Sequence, residues 1–416
     1  MAKRGARGMY RKQLTLKFFP GGMTLREKSV LFEYSNLYEK ASFSDDKRLI
    51  RRKKRMSDDM RTPFERDRHR IIFSDAFRAY RGKTQVFSLS NYLLSDRMVH
   101  VNYVAQVSRM IAKALDLNVD LTEAIAYGHD LGHPPFGHDG EYILSEICQH
   151  YGIGHFHHNV HGVRVVDEIE RNGEGLNLTF AVRDGIASHD GEVHNMKLEP
   201  EWEKTDEDLE NYLSSKVNGE AVQTFPATLE GCVVRIADTV AYIGSDIEDA
   251  IKLGIIKRKE LPRNLVEILG NTNGKIIETI VKDIVRTSYH QPFVSFSKEI
   301  SDAVLELKKW NYENIYLRWQ TRNDEISMRL RKEKEKIRTG LWRIFEEMLF
   351  DLETGRKESP VYKFFMKMSR DYREKYGDKK AVVVRDFIAS LTDAEAQRLI
   401  AESSVPRSIF DFVKSF

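Results

Sequence analysis

The fourteen residues GHDLGHPPFGHDGE, 128–141, hold three histidines, three carboxylates, four glycines and two prolines, in a 416-residue chain with thirteen histidines altogether. Imidazole nitrogens and carboxylate oxygens at this density can build a divalent-metal site or a proton relay. A His-Asp pair alone is weak, because the chain has three: His129-Asp130, His138-Asp139 and His189-Asp190. Spacing does not rank them. Position favours His129-Asp130, which ends an apolar helix and is followed by glycines that let a ligand approach the backbone.

A second constellation lies in RIADTVAYIGSD, where Asp238, Tyr242 and Asp246 recur at i, i+4 and i+8 and share one helix face. Asp238 stands among Ile236, Ala237 and Val240, where a carboxylate is costly to bury unless it is paired or binds a metal; a helix-surface aspartate is the plain alternative. Arg97 with His100, and His138 with Glu141, repeat the logic at i, i+3. The chain thus offers nitrogen and oxygen ligands without thiolates. Two histidines with two aspartates leave octahedral positions open and suit Mn²⁺, Mg²⁺ or Fe²⁺ better than structural zinc.

These residues need helices to place them. Thr62, Pro63 and Glu65 predict a capping box opening the helix TPFERDRHRIIFSDAFRAY. A second helix is expected from about Asp96 to Leu117, with Val104, Val107, Ile111 and Leu115 at helical spacing. Asp120 with Glu123 then reads as a cap pair for a helix that must end by Gly132, before Pro134 and Pro135. From Gly140 helical spacing resumes in EYILSEICQHY, and HNVHGVRVVDEIE, LTFAVRDGIASH and FPATLEGCVVRIADTVAYIGSDIEDAI follow. The acidic stretch 192–218 reads as an exposed excursion, and RLRKEKEKIR at 329–338 as a solvated helix face.

Composition agrees with a mostly helical, all-α chain: 41% hydrophobic, 31% charged and only ten prolines, too little Gly/Pro punctuation for many short strands. Cys148 and Cys232 are the only cysteines, and neither sits in a CxxC motif, which argues against a disulfide framework or a thiolate zinc site and for a reducing cytoplasm. No apolar run approaches the roughly 18 residues a bilayer requires. Lys3, Arg4, Arg7 and Arg11 are not followed by a secretory apolar region. With a net charge of +3, the basic stretches KRGARGMYRK and KRLIRRKKR read as solvated tails or connectors before nucleic-acid contacts. The expected organisation is a basic arm over 1–55, a catalytic core over 56–260 and a helical C-terminal region over 261–416.

The ordered set HVNYVAQ, AIAYGHDLGHPPFGHDGE, FHHN and RIADTVAYIGSD resembles the HD-domain deoxynucleoside triphosphate triphosphohydrolases, the bacterial dGTPase-like enzymes related to the vertebrate sterile-alpha-motif HD dNTPase. The resemblance begins at DDMRTPFERDRHRIIFSDAFRAYRGKTQVF, is densest to about residue 255, and returns at VVRDFIASLTDAEA. It implies a metal set of His100, His129, Asp130 and Asp238, with RMVHV around His100 where bacterial members commonly read RLTHS. It implies His138 and Glu141 as the catalytic pair, with His133 and His158 facing phosphate or transferring protons; His157 is the adjacent alternative. Arg97 resembles a phosphate clamp, Tyr242 a phosphate or sugar contact, and Gln85 with Asp246 the pair that binds the 3′-hydroxyl. Val86 falls where the 2′ side of the sugar would pack. Asp139 reads as a helix-start carboxylate.

The activity so implied is metal-dependent hydrolysis of dGTP or several dNTPs at the α-phosphorus, by a homo-oligomer, hexamer or tetramer, with nucleotide or single-stranded DNA as a further partner and no membrane. Other HD phosphohydrolases are the nearest rivals. Alarmone hydrolases typically continue HDxxED, whereas Asp130 is followed by Leu131, Gly132, His133 and Pro134, and the HHExxDGxGYP signature of cyclic-dinucleotide enzymes is absent. A nucleotide-sensing or nucleic-acid-binding protein that keeps the pocket is the non-enzymatic alternative, though a pure binder has no evident use for the whole proton-transfer set.

Overall fold

The computed structural model describes residues 23–53, 60–85, 95–190 and 194–404. Among them the chain is all-α, apart from one short antiparallel pair, β1 (Lys197–Leu198) on β2 (Val294–Ser295). Helix α1 (Leu25–Asn36) is opened by a Thr24/Glu27 capping box and α2 (Pro63–Ile72) by the Thr62/Glu65 box read from the sequence. Asp96 caps α3 (Arg97–Ala114) by accepting from the Val99 N–H at 2.9 Å. The next cap is Asn118 and not Asp120. Its side-chain oxygen accepts from the N–H groups of Asp120 and Leu121, so α4 runs Val119–Gly128 and Asp120 lies in the first turn, paired with Arg68 at 2.7 Å.

Helix α5 (Gly137–His150) starts three residues before Gly140, because Phe136 turns the chain with a left-handed φ of 67°. Its N–H is fixed by Asp393 Oδ1 at 2.9 Å, which offsets the cost of that conformation for a residue with a side chain. The turn before it leans on α6 (His158–Arg164). A Cβ on Gly132 would lie 2.0 Å from the His158 carbonyl oxygen and 2.2 Å from the Gly162 nitrogen, so only glycine fits there.

Helix α7 (Phe180–Ser188) packs on α4, and α9 (Leu229–Lys252) packs on α3, α4 and α7; between α7 and α9 lies α8 (Asp206–Val217). Two apolar cores meet along α3 and α9. Val101, Val104 and Ala105 of α3 join Phe64, Ile125, Ile147 and Ile186 in the first core, while Val107, Ile111 and Ala112 join Cys232, Val233, Ile236 and Val240 in the second. The C-terminal half fills both. Helices α10 (Asn273–Ser288) and α11 (Lys298–Asn311) give Ile276, Ile284 and Val304 to the second core. Helices α12 (Glu325–Glu353), α13 (Lys380–Ser390) and α14 (Asp393–Ser404) give Leu341, Ile344, Phe345, Val383 and Ala396 to the first.

Three further sequence expectations change. The basic arm expected over 1–55 is not an arm over 24–53: α1 and the loop after it are tied in by buried carboxylates, with Ser44 N–H on Glu33 at 2.8 Å and Ser42 N–H on Glu230 at 2.9 Å, and Leu49 is in the first core. Arg52 of the second basic stretch is committed to buried Asp67 at 2.6 Å. The first basic stretch lies outside the described residues. The acidic stretch 192–218 supplies β1, α8 and buried Lys204, which pairs with Asp184 at 2.7 Å, because a few well-placed apolar residues such as Leu209 suffice to dock a short helix. The face at 329–338 is only partly solvated, since Lys334 and Arg338 pair with Asp139 and Glu146 of α5.

Candidate active site

The seam between the cores carries the titratable residues. His100 is one turn into α3, His129 caps the C-terminus of α4 with Asp130 following it, and Asp238 lies midway along α9. His100 Nε2 is 3.0 Å from Asp238 Oδ1 and 3.7 Å from Asp130 Oδ2, and His129 Nε2 is 3.4 Å from Asp130 Oδ2 and 3.9 Å from Asp238 Oδ1. Three of the four are buried, and Asp238, 20% exposed, is the side open to solvent. His129 Nδ1 lies 2.7 Å from the Ala126 carbonyl oxygen, so that nitrogen carries the proton and Nε2 presents a lone pair. That Nε2 is buried without a hydrogen-bond partner, and a cation among two imidazoles and two carboxylates is what would satisfy it. The residues present therefore fit a divalent metal ion.

Electrostatics agree. Burial lowers the basicity of His129, but the carboxylates of Asp130 and Asp238 outweigh it and hold its pKa above the ordinary value. Burial raises the pKa of Asp130, yet Arg97, His129 and His133 bring it well below the usual carboxylate range; Asp238 is down at about 2, where burial is outweighed by His100 and His129. Arg97, 1% exposed, donates to Asp130 and to the Thr84 carbonyl. The expected phosphate clamp thus lies directly against the metal set.

Beside this set stands a second group. Glu141 takes three donors: His138 Nδ1 at 3.1 Å on Oε2, and the His158 N–H and Nδ1 at 2.7 and 2.8 Å on Oε1. Burial raises its pKa, but His158 and His138 more than reverse that and leave it well below the usual range. His158 is pushed up to about 9, where burial is overcome by Glu141. His133 stacks on His158 with ring centroids 4.0 Å apart, and its Nε2 is 3.4 Å from Asp130 Oδ1. Burial with the nearby charges of Arg97 and His158 keeps His133 neutral, its pKa well below normal. His138 alone is open, 63% exposed, with its ring edge toward His133. His158, not its half-buried neighbour His157, enters this group.

The expected sugar pocket is placed less completely. Asp246 is buried on α9 two turns beyond Asp238, accepts from the Tyr316 hydroxyl at 2.5 Å, and is pushed up to about 7 by burial. Tyr242 lies half-buried between them on the same helix. Gln85 keeps its side-chain Oε1 buried without a partner, and Val86 lies outside the described residues.

Sequence reasoning missed four residues here. Tyr316 stands in no motif. Asp393 lies in the late SLTDAEA stretch, Lys83 donates to the carbonyls of His133 and Ala389 beneath the histidine turn, and His189 was visible only as an unranked His-Asp pair.

Comparison with known proteins follows the same lines. The HD domain model matches residues 97–243 and the phosphohydrolase-associated domain model matches 294–402. The chain is 38% identical to a deoxyguanosinetriphosphate triphosphohydrolase-like protein of Caldanaerobacter subterraneus subsp. tengcongensis, over 94% of this chain and 98% of that one. A protein of the same name from Clostridium perfringens is 43% identical over 71% of this chain and 79% of its own, and one from Desulfatibacillum aliphaticivorans 34% identical over 89% and 95%. The first model spans the metal set and its neighbouring histidines; Tyr316 and Asp393 fall in the second.

Proposed function

The chain belongs to the deoxyguanosinetriphosphate triphosphohydrolase-like family of HD-domain proteins, and we propose that it hydrolyses dGTP, or several dNTPs, at the α-phosphorus to give a deoxynucleoside and triphosphate. The observation that supports this most is the meeting of His100, His129, Asp130 and Asp238 around one orphaned imidazole nitrogen, with the Glu141-centred histidines alongside. A divalent ion bound there, Mn²⁺, Mg²⁺ or Fe²⁺, supplies Lewis-acid polarisation of the phosphoryl group and a nucleophile at neutral pH.

The chain's own residues do the rest. Arg97 and neutral His133 face the phosphates, with Tyr242 beside them. His138, exposed and oriented through Nδ1 by Glu141, moves a proton at Nε2: water bonds to phosphorus, the P–O5′ bond breaks, and the 5′-oxygen leaves protonated. Proton transfer by such a positioned side chain contributes roughly 10²–10⁴ in rate. His158, held by Glu141 and stacked on His133, supports that transfer. Asp246 with Gln85 takes the 3′-hydroxyl, and Val86 packs against the 2′ side. The assembly that goes with this reading is a homo-oligomer, hexamer or tetramer, in the cytoplasm, with nucleotide or single-stranded DNA as effector; light scattering with and without dGTP checks it. Among the described residues no helix is long and apolar enough to cross a membrane.

Product analysis tests the reaction. Incubation of dGTP with the Mn²⁺-loaded protein is expected to give deoxyguanosine and intact triphosphate. Pyrophosphate with dGMP, or inorganic phosphate alone, overturns the assignment.

A further inference from the structure

Lys83 is a cation buried beneath the histidine turn, 5% exposed, and the reaction above gives it no part. Its Nζ donates to the carbonyl oxygens of His133 and, at 2.8 Å, of Ala389. Both oxygens need a donor from outside their own segment. Ala389 lies in the last turn of α13, whose final carbonyls have no intrahelical partner, and His133 is followed by Pro134 and Pro135, which have no N–H to offer. The C-terminal end of α13 carries partial negative charge, which accounts for a buried ammonium bonded to carbonyls alone. Asp393, whose charge also acts on it, is committed to the N–H groups of Thr84 and Phe136.

The main chain of Lys83 serves Arg97. Its carbonyl accepts from the Arg97 N–H at 3.0 Å, at the first residue of α3. Anchored at Nζ, Lys83 fixes that carbonyl as well, so one residue grips the segments of both groups assigned to the phosphates. Those groups depend on such support. His133 Nδ1 and Arg97 Nε are buried without hydrogen-bond partners, so neither side chain is locked at every polar atom and each follows its backbone. Gln85 is secured differently, because Asp393 accepts from both the N–H and the hydroxyl of Thr84 beside it. Burial, with Arg97 next, pushes the Lys83 ammonium down to about 7 against the pull of Asp393, Glu395 and Asp130. A dNTP tail brings about four further negative charges, which favour the charged form.

We propose that Lys83 is a positioning residue for the triphosphate end of the substrate: by clamping the histidine turn to the end of α13 it sets His133, and with it Arg97, for the phosphates. This rests on the proposed function and refines it. The C-terminal helices then shape phosphate binding through one ammonium group, while sugar and metal contacts are held by other residues.

Calorimetry on the intact Mn²⁺-loaded protein tests this with the two parts of the substrate, inorganic triphosphate and deoxyguanosine, titrated separately. Lys83→Met keeps the reach of the side chain and removes its donors. Triphosphate is expected to bind it at least about tenfold more weakly, the lower end of what outer-shell partners are worth, with deoxyguanosine bound as in wild type and Mn²⁺ retained. Equal weakening of both ligands, or loss of Mn²⁺, shows Lys83 to be general support for the fold and overturns the assignment. Unchanged triphosphate binding overturns it too. Should Lys83→Met not fold, Lys83→Gln, which keeps N–H donors without the charge, decides by the same split. If wild type bound neither ligand, the proposed function itself would fall, and the role of Lys83 with it.

Discussion

At the scale of the residue, burial decides what each titratable group can do. His129 offers a lone pair with no protein partner, so its removal takes away a ligand and little of the fold. We expect His129→Ala to lose turnover by far more than the roughly 10–100-fold that outer-shell changes around a metal cost, with helicity by circular dichroism unchanged; near-normal triphosphate release would remove His129 from the metal set. Asp246 titrates in the opposite sense to Asp238. Its carboxyl is raised from 3.8 to about 7 by burial, so between about pH 4 and 7 the folded state keeps a proton that the unfolded chain has lost. Stability must therefore fall as pH rises through that window, by up to about 4 kcal/mol for a three-unit shift. Urea unfolding of wild type and Asp246→Asn at pH 4.5, 6 and 7.5 checks this, the variant losing that part of the slope. Equal slopes would show that Asp246 is ionised throughout. The contrast between Asp238 and Asp246 could not be read from a shared i, i+8 face: His100 and His129, far away in sequence, outweigh burial at Asp238, whereas the Tyr316 hydroxyl, which also lowers the pKa, does not outweigh burial at Asp246.

At the scale of the element, the sequence showed where most helices run because caps and apolar spacing are local, as at Thr62 and Asp96. It misplaced the starts of α4 and α5 because those are fixed from a distance. Asn118 outcompetes Asp120 because its backbone and side chain are also held by Glu230, Glu33 and Ser42. Phe136 adopts its left-handed turn under Asp393, whose other oxygen accepts from Thr84. One carboxylate at the start of α14 therefore ties the turn that ends in His138 to the loop that carries Gln85. Asp393→Ala leaves those donors without an acceptor, at roughly 1–3 kcal/mol for each buried group. Amide exchange of Phe136 and Gly137 should quicken, and kcat should fall at least about tenfold, the change expected from roughly 1.4 kcal/mol, while bound metal is retained. Asp393→Asn, which keeps one acceptor oxygen, should fall between. Unchanged exchange in the alanine variant would show that the turn holds itself.

At the scale of the whole molecule, the boundary expected near residue 260 divides neither core. Helix periodicity shows that each segment has an apolar face, but not which distant face it meets; α12 against α5 is such a meeting, as is α10 against α3 in the second core. A chain whose two cores share α3 and α9 should unfold as one unit. Phe345 probes this: it is fully buried on α12 and stacks on Tyr151 at the end of α5, with ring centroids 4.9 Å apart. Replacing it with alanine should cost about 3–5 kcal/mol. Trp342 stands beside the first core, and Trp202 and Trp310 beside the second, so tryptophan fluorescence reports on both while circular dichroism reports on all helices. In urea, Phe345→Ala should shift both signals to the same lower midpoint in one transition. If the first core instead melted early while the second kept its midpoint, the halves would be separate domains. The histidine turn, which borrows Asp393 from α14, would then have to hold its geometry without the cooperative support of the second core.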